Sequence, residues 1–220
     1  MNKLTIIVTY YNAEEYITGC LESIKQQRTQ DFNLIIVNDG STDQSKKLMD
    51  EAIKDYDKNI RFIDLDENSG HAHARNIALE EVETPYFMFL DADDELASYA
   101  ITFYLEKFNN TDGLIAPIHS FTTQRPQFVD LDRVRVEYFN AKGNINSFLR
   151  KQSACNIIFR TAIVRAHHIR FNENLNTYVD WSFVLEYMKY VNKFVRIFNF
   201  PFYFRGEVYD PFETLTLSEQ

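Results

Sequence analysis

A recurring unit, a short apolar run followed by a stretch of helical periodicity, constrains the fold of this chain more than any other feature. The first run, Leu4 to Val8, reads Leu-Thr-Ile-Ile-Val, the near-continuous hydrophobicity of a strand buried on both faces of a parallel sheet. Asn12 and Glu15 then stand at capping-box spacing, and Ile17, Cys20, Leu21 and Ile24 repeat at helical intervals. The unit recurs: Leu34 to Val37 is apolar, Ser41 and Gln44 form a second capping-box pair, and Leu48, Met49, Ala52, Ile53 and Tyr56 share one helical face. A third strand is expected over Ile60 to Leu65. After Gly70 a helix of small residues runs to Val82, Pro85 ends it, and Tyr86 to Leu90 forms a fourth strand that stops at Asp91. Strands alternating with helices of this length predict a doubly wound α/β fold with a mostly parallel central sheet flanked by helices.

Beyond Gly113 the rhythm loosens. Leu114 to Ile118 and Cys155 to Arg160 read as strands, Val179 to Val191 as a helix, and Phe194 to Phe204 as an aromatic-rich strand or hairpin. The segment from Gln124 to Gly143 mixes charge with isolated aromatics and yields no element. No linker or repeat divides the 220 residues, and their 45% hydrophobic content suffices for the core of one domain.

Charge and cysteine usage narrow the partners and the compartment. With 23 Lys and Arg against 32 Asp and Glu, the formal net charge of −9 opposes a sequence-independent grip on nucleic acid or anionic lipid. The two cysteines, Cys20 and Cys155, are too isolated for a metal or redox motif and read as buried thiols in a reducing cytoplasm. No secretory signal and no uncharged apolar run long enough for a spanning helix is present, so a soluble, cytoplasmic catalytic portion is expected.

In open α/β sheets ligands bind beyond the carboxyl ends of the strands. Three acidic clusters sit there: Asp39, within Val37-Asn38-Asp39-Gly40-Ser41-Thr42-Asp43; Asp66 and Glu67; and Asp91-Ala92-Asp93-Asp94-Glu95. Residues i and i+2 of an extended segment face the same side, so Asp91 and Asp93 can aim both carboxylates at one ion. Hard oxygen ligands suit Mg²⁺ or Mn²⁺, which bind through one or two carboxylates and complete their shells with phosphate and water. The rival account, in which the acids cap the next helix through its dipole, explains one or two of them. Four acids in five residues after a buried strand would repel one another without a cation.

Four motifs in order, Val8-Thr9-Tyr10-Tyr11-Asn12, Val37 to Asp43, Asn68-Ser69-Gly70 leading to Ala74-Arg75-Asn76, and Phe89-Leu90-Asp91-Ala92-Asp93-Asp94, resemble the successive signatures of family 2 glycosyltransferases. The resemblance is close over residues 1 to 100 and loose beyond. It implies the GT-A fold, a Rossmann-like sheet that binds a nucleotide sugar, usually UDP-linked, and transfer with inversion to an acceptor hydroxyl. Residues 1–112 would then be the nucleotide-sugar half and 113–220 the acceptor half, together forming the whole or the N-terminal part of a longer protein. The resemblance assigns Thr9, Tyr11 and Asp39 to the nucleoside pocket, with Asp39 accepting a hydrogen bond from the base, and Asn68 and Arg75 to its completion. It assigns Asp91 and Asp93 to the metal and pyrophosphate. Thr9 stands where the family frequently has proline.

Each residue also has a plainer role: Asp39 as a turn former before Gly40, and Arg75 as a helix-surface partner of Glu80 or Glu81. An inverting displacement needs a base at the acceptor hydroxyl. The family places a Glu-Asp pair at the start of a late helix; here Tyr178-Val179-Asp180-Trp181 occupies that position, so Asp180 is the candidate base, with Val179 replacing the glutamate. A first-turn Asp is its plainer reading. Asp94 is the second candidate for an acceptor contact. His71 and His73 enter the helix near the donor, as phosphate contacts or surface residues. Family members of this kind build cell-wall, capsular or teichoic polymers, so the acceptor class is a glycan, polyol-phosphate or lipid-linked chain, with peripheral membrane contact in the last case. The rivals are a donor-binding scaffold without transfer and an aspartyl-phosphate phosphatase, whose DxD ordinarily follows the first strand rather than the fourth.

Overall fold

A computed structural model describes residues 2–56, 59–108, 110–120, 133–140, 153–198 and 202–205. In chain order the elements are β1 (Leu4–Tyr10), α1 (Ile17–Lys25), β2 (Phe32–Asn38), α2 (Ser45–Ile53), β3 (Ile60–Asp64), α3 (His71–Glu80), β4 (Tyr86–Asp91), β5 (Glu95–Leu96) and α4 (Ala100–Lys107). There follow β6 (Gly113–Ile115), β7 (Ile118–Ser120), β8 (Val136–Asn140), a 3-10 turn (Ala154–Asn156), β9 (Ile157–Arg160), α5 (Thr161–Ala166), α6 (Val179–Met188), β10 (Lys193–Ile197) and β11 (Tyr203–Arg205).

Among the described residues eight strands form one sheet in the order β3-β2-β1-β4-β9-β6-β10-β8. The first four are mutually parallel: β1 lies between β2 and β4, and β2 pairs with β3. Beyond β4 the sheet is mixed, because β9 runs antiparallel to both β4 and β6. Consecutive β1 residues Ile6, Ile7 and Val8 are each 0% exposed although they point to opposite faces, so both faces are covered. This is the physical reason the run carries no polar alternation. From β1 the chain winds outward to β3, then returns to β4 on β1's other side, which makes the carboxyl ends of β1 and β4 the switch point where open sheets bind ligands. A smaller sheet, β5-β11-β7, lies beyond β4 in sequence and draws on both halves of the chain.

Several local expectations change. Neither capping-box pair caps a helix: α1 starts at Ile17 and α2 at Ser45. Asn12 instead adopts φ 48° and its Oδ1 accepts from the Thr42 N–H at 2.8 Å, while its own N–H donates to Ser41 Oγ at 3.1 Å. The residues that read as caps tie the β1 and β2 loops together. Leu114 to Ile118 divides into β6 and β7, which belong to different sheets, because Ala116 turns its N–H to the Asn156 carbonyl. Phe194 to Phe204 is likewise no hairpin: β10 joins the large sheet and β11 the small one. Cys155 sits in the 3-10 turn rather than in β9. Of the segment from Gln124 to Gly143, residues 133–140 are described and contain β8, antiparallel to β10; the remainder, and the polar end from Glu213 to Gln220, lie outside the described residues.

Candidate functional site

A cavity of about 960 Å³ opens at the carboxyl ends of β1 and β4, lined by Thr9, Tyr10 and Tyr11 and by Asn176 to Trp181. That volume is at the upper end for a small-molecule site. Arg75, Asp91, Asp93, Asp180 and Arg205 also line it. Register explains the convergence, since Thr9 pairs with Asp91 at the ends of their strands.

Arg75 is the hub. Its side chain is only 4% exposed, and its Nη2 donates to Asp91 Oδ1 at 2.6 Å while Nη1 pairs with Asp180 Oδ1. Its Cζ lies 5.2 Å from the ring centroids of both Phe89 and Phe171. Phe183 of α6 stacks on Phe171 at 4.1 Å, so the same aromatic cluster that buries α6 against β4 fixes the arginine between two carboxylates. The pairing with Glu80 or Glu81 does not form: Glu80 pairs with Arg170 and Glu81 with Arg61. A guanidinium buried to this degree is stable only because it is doubly paired.

Asp180 lies in the first turn of α6 without capping it, since the N-cap is Tyr178. Its Oδ2 accepts from the Ala154 N–H at 2.9 Å and from Ser153 Oγ at 3.2 Å, and His71 Nε2 stands 3.9 Å from its Oδ1. Burial pushes its pKa up, but the Arg75 charge and the hydrogen bonds outweigh burial and hold the carboxyl below its ordinary range.

Asp39 acts from behind this wall. It is buried, is not among the cavity-lining residues, and its two oxygens accept from the Ser69 and Gly70 N–H groups at 2.8 and 2.9 Å. Asn68 Oδ1 accepts from the same Gly70 N–H at 3.0 Å and is also outside the lining set. Gly70 is the N-cap of α3, so a carboxylate faces the positive end of the helix that carries Arg75. Thr9 and Tyr11 do line the cavity, Tyr11 with 44% of its surface exposed. Of the histidines, His71 lines it and His73 is tied to Glu173 at 3.0 Å.

One carboxylate oxygen from each of Asp91, Asp93 and Asp94 lies within 4.8 Å of the others. Burial and the neighbouring Asp91 push the Asp93 carboxyl above its usual range, a repulsion that a divalent ion would relieve. An all-oxygen, partly exposed set fits Mg²⁺ or Mn²⁺, which Asp91 and Asp93 could hold. Asp94 differs: it is 1% exposed and accepts from the Tyr203 hydroxyl at 2.6 Å, tying the acidic turn to β11 rather than facing the cavity. Ser153, Arg205, Tyr178 and Trp181 were not singled out by sequence reasoning. The last two flank Asp180 and their aromatic character was a usable signal; Ser153 and Arg205 carried none.

Residues 5–170 match the family description "Glycosyl transferase family 2". The chain belongs to that family. Among its relatives, glycosyltransferase GlyA of Streptococcus pneumoniae is 38% identical over 104 residues, 47% of this chain and 15% of that protein. The poly(ribitol-phosphate) beta-N-acetylglucosaminyltransferase TarS of Staphylococcus aureus is 28% identical over 201 residues, 84% of this chain and 32% of that one. The chain therefore spans less than a third of the length of either relative. The solved structure of S. aureus TarS 1-349 in complex with UDP-GlcNAc superposes with a TM-score of 0.78 at 24% identity, covering 94% of this chain and 59% of that one, which shows a shared fold. The family fold is thus a large, mostly parallel sheet flanked by helices, as the alternating runs predict. Among the described residues no helix is long and apolar enough to cross a membrane.

Proposed function

We propose that this chain is a metal-dependent inverting glycosyltransferase that moves a sugar from a UDP-linked donor to an acceptor hydroxyl in the synthesis of a bacterial cell-surface polymer. The observation that carries the reading is that Asp91, Asp93 and Asp180 line the same switch-point cavity, with Asp91 and Asp180 joined through the Arg75 guanidinium, in a chain whose family relatives include an N-acetylglucosaminyltransferase. The nucleoside would lie against Thr9 and Tyr11, with Asp39 and Asn68 holding the loop that starts α3. Asp91 and Asp93 would hold Mg²⁺ or Mn²⁺, which neutralises charge on a departing diphosphate. Asp180 accepts the proton of the acceptor hydroxyl. Ala154 and Ser153 keep its second oxygen oriented, and Arg75 keeps it ionised and therefore proton-free. The acceptor is a glycan, polyol-phosphate or lipid-linked chain, handled at the cytoplasmic side.

A second reading, a donor-binding domain without transfer, draws on one observation: the ion pair with Arg75 weakens Asp180 as a base. Asp180→Asn separates the two. Catalysis by this carboxylate predicts a loss of transfer of about 10²–10⁴-fold with UDP affinity retained. Transfer at the wild-type rate in that variant would end the assignment.

A further inference from the structure

We propose that His71 relays the acceptor's proton: Asp180 takes it from the attacking hydroxyl and hands it to His71 Nε2, and the imidazole releases it to water. The inference rests on the transferase reading above and deepens it, by naming the exit for the proton from the same cavity.

His71 is the first residue of α3 and Arg75 stands four places on, so the two share the helix face that lines the cavity, while His73 between them pairs with Glu173. His71 Nε2 is 3.9 Å from Asp180 Oδ1, the oxygen that Arg75 Nη1 also engages. The ring makes no hydrogen bond within the chain among the described residues, and 56% of the side chain is exposed, against 23% for Asp180. The imidazole is thus one small side-chain movement from the carboxylate and open to water.

Asp180 needs such an outlet. Its Oδ1 is paired with Arg75 and its Oδ2 accepts from the Ala154 N–H and Ser153 Oγ, contacts that all favour the charged form. A proton taken up there is held weakly and returns to the acceptor oxygen unless it moves on. A neutral imidazole can receive it. The charged groups facing His71 are Arg75 on its own helix, Asp180 of α6, Asp91 of β4 and Asp39 after β2. Burial and the Arg75 charge lower the His71 pKa against the pull of the three carboxylates, and the positive end of α3 acts in the same direction, so the ring is neutral at neutral pH.

The step balances. As the acceptor oxygen bonds to the anomeric carbon, the bond from that carbon to the diphosphate oxygen breaks and the diphosphate leaves with the electron pair. The hydroxyl proton passes to Asp180 and then to His71 Nε2, and the imidazolium gives its Nδ1 proton to water, which restores the charges of both side chains.

The test follows UDP release by the full chain from UDP-GlcNAc, UDP-glucose and UDP-galactose with Mn²⁺, water serving as acceptor, from pH 5 to pH 9, with UDP affinity read by calorimetry. In the wild type the rate should fall as pH falls through the His71 pKa, because an imidazolium cannot accept the proton. His71→Gln and His71→Ala should lose that acid limb and run about tenfold or more slower near neutrality, with the UDP Kd within about twofold of wild type. Added imidazole should restore part of the rate to His71→Ala. A wild-type rate and pH profile in His71→Gln, no rescue by imidazole, or a UDP Kd that weakens in step with the rate, which would mark His71 as a diphosphate contact, would overturn the relay. Asp180→Asn in the same assay reads the base itself: if it loses UDP release and His71→Gln does not, only the relay fails. If the wild type releases UDP from none of the three donors, the transferase reading fails and the relay with it.

Discussion

Arg75 shows how much of the site depends on single side chains meeting at a distance in sequence. Its guanidinium joins Asp91, from the end of β4, to Asp180, 105 residues further along the chain from Arg75 itself. Upstream of it, Gly40 makes that placement available. At φ 67° it occupies backbone space that favours glycine, and an added Cβ would come within 2.4 Å of the Glu67 carbonyl carbon and 2.6 Å of the Asn68 nitrogen. Gly40→Ala must therefore strain its own backbone, by about 1–2 kcal/mol, and push away the loop that Asp39 holds at the start of α3. The expected result is a thermal midpoint lower by about 2–4 °C for each kcal/mol, with weaker UDP binding, checked by calorimetry on both counts. At this scale the sequence singled out Asp91, Asp93, Asp180 and Arg75, which the structure gathers at one cavity; acids crowded after a buried strand are conspicuous. It did not name the arginine's partners. Glu80 and Glu81 stand five and six positions on, off the i+3 and i+4 places that helix neighbours occupy, and nothing in local pattern encodes a contact made by the packing of Phe171 and Phe183.

Among elements, the joint between β6, β9 and β10 turns on Asp112. Its Oδ2 accepts from the Asn192 and Lys193 N–H groups at 2.8 and 3.0 Å, and Oδ1 accepts from Arg160 Nη1 at 3.0 Å, with the side chain 13% exposed. Burial raises its pKa, but these donors outweigh burial and the carboxyl is held below its ordinary value. A lowered folded-state pKa means that its stabilisation is complete above the unfolded value of about 4 and is lost as pH falls through the folded value. Asp112→Asn should cost about 1–3 kcal/mol near neutrality. Thermal melts from pH 7 to pH 3 should show the gap between wild type and variant closing as the solution is acidified; a constant gap would contradict the assignment. The parallel strands β1, β2 and β4 were legible because burial on both faces leaves an unbroken apolar run. The capping boxes misled because Asn12 and Ser41 satisfy each other across two loops, and β10 and β11 merged into one aromatic stretch because aromatic residues serve two sheets alike.

On the scale of the whole molecule, one cavity gathers residues from the ends of β1 and β4 and from the first turn of α6, so neither half of the chain contains the site alone. The order of the motifs along the chain made the fold readable in advance, together with Thr9, Tyr11, Asp91 and Asp93 of the cavity lining. From the second half of the chain the sequence singled out Asp180 alone, although the flanking Tyr178 and Trp181 also line the cavity. On the proposed function, Asp91 and Asp93 hold a divalent ion that admits a uridine diphosphate to this cavity. The deciding measurement is calorimetric titration of UDP with Mn²⁺, repeated with chelator and with Asp91→Asn. The expected result is saturable binding of UDP in preference to GDP and CDP that disappears with the chelator and falls at least about tenfold in the variant. Equal binding with and without the metal, or no binding of any of the three nucleotides, would contradict it.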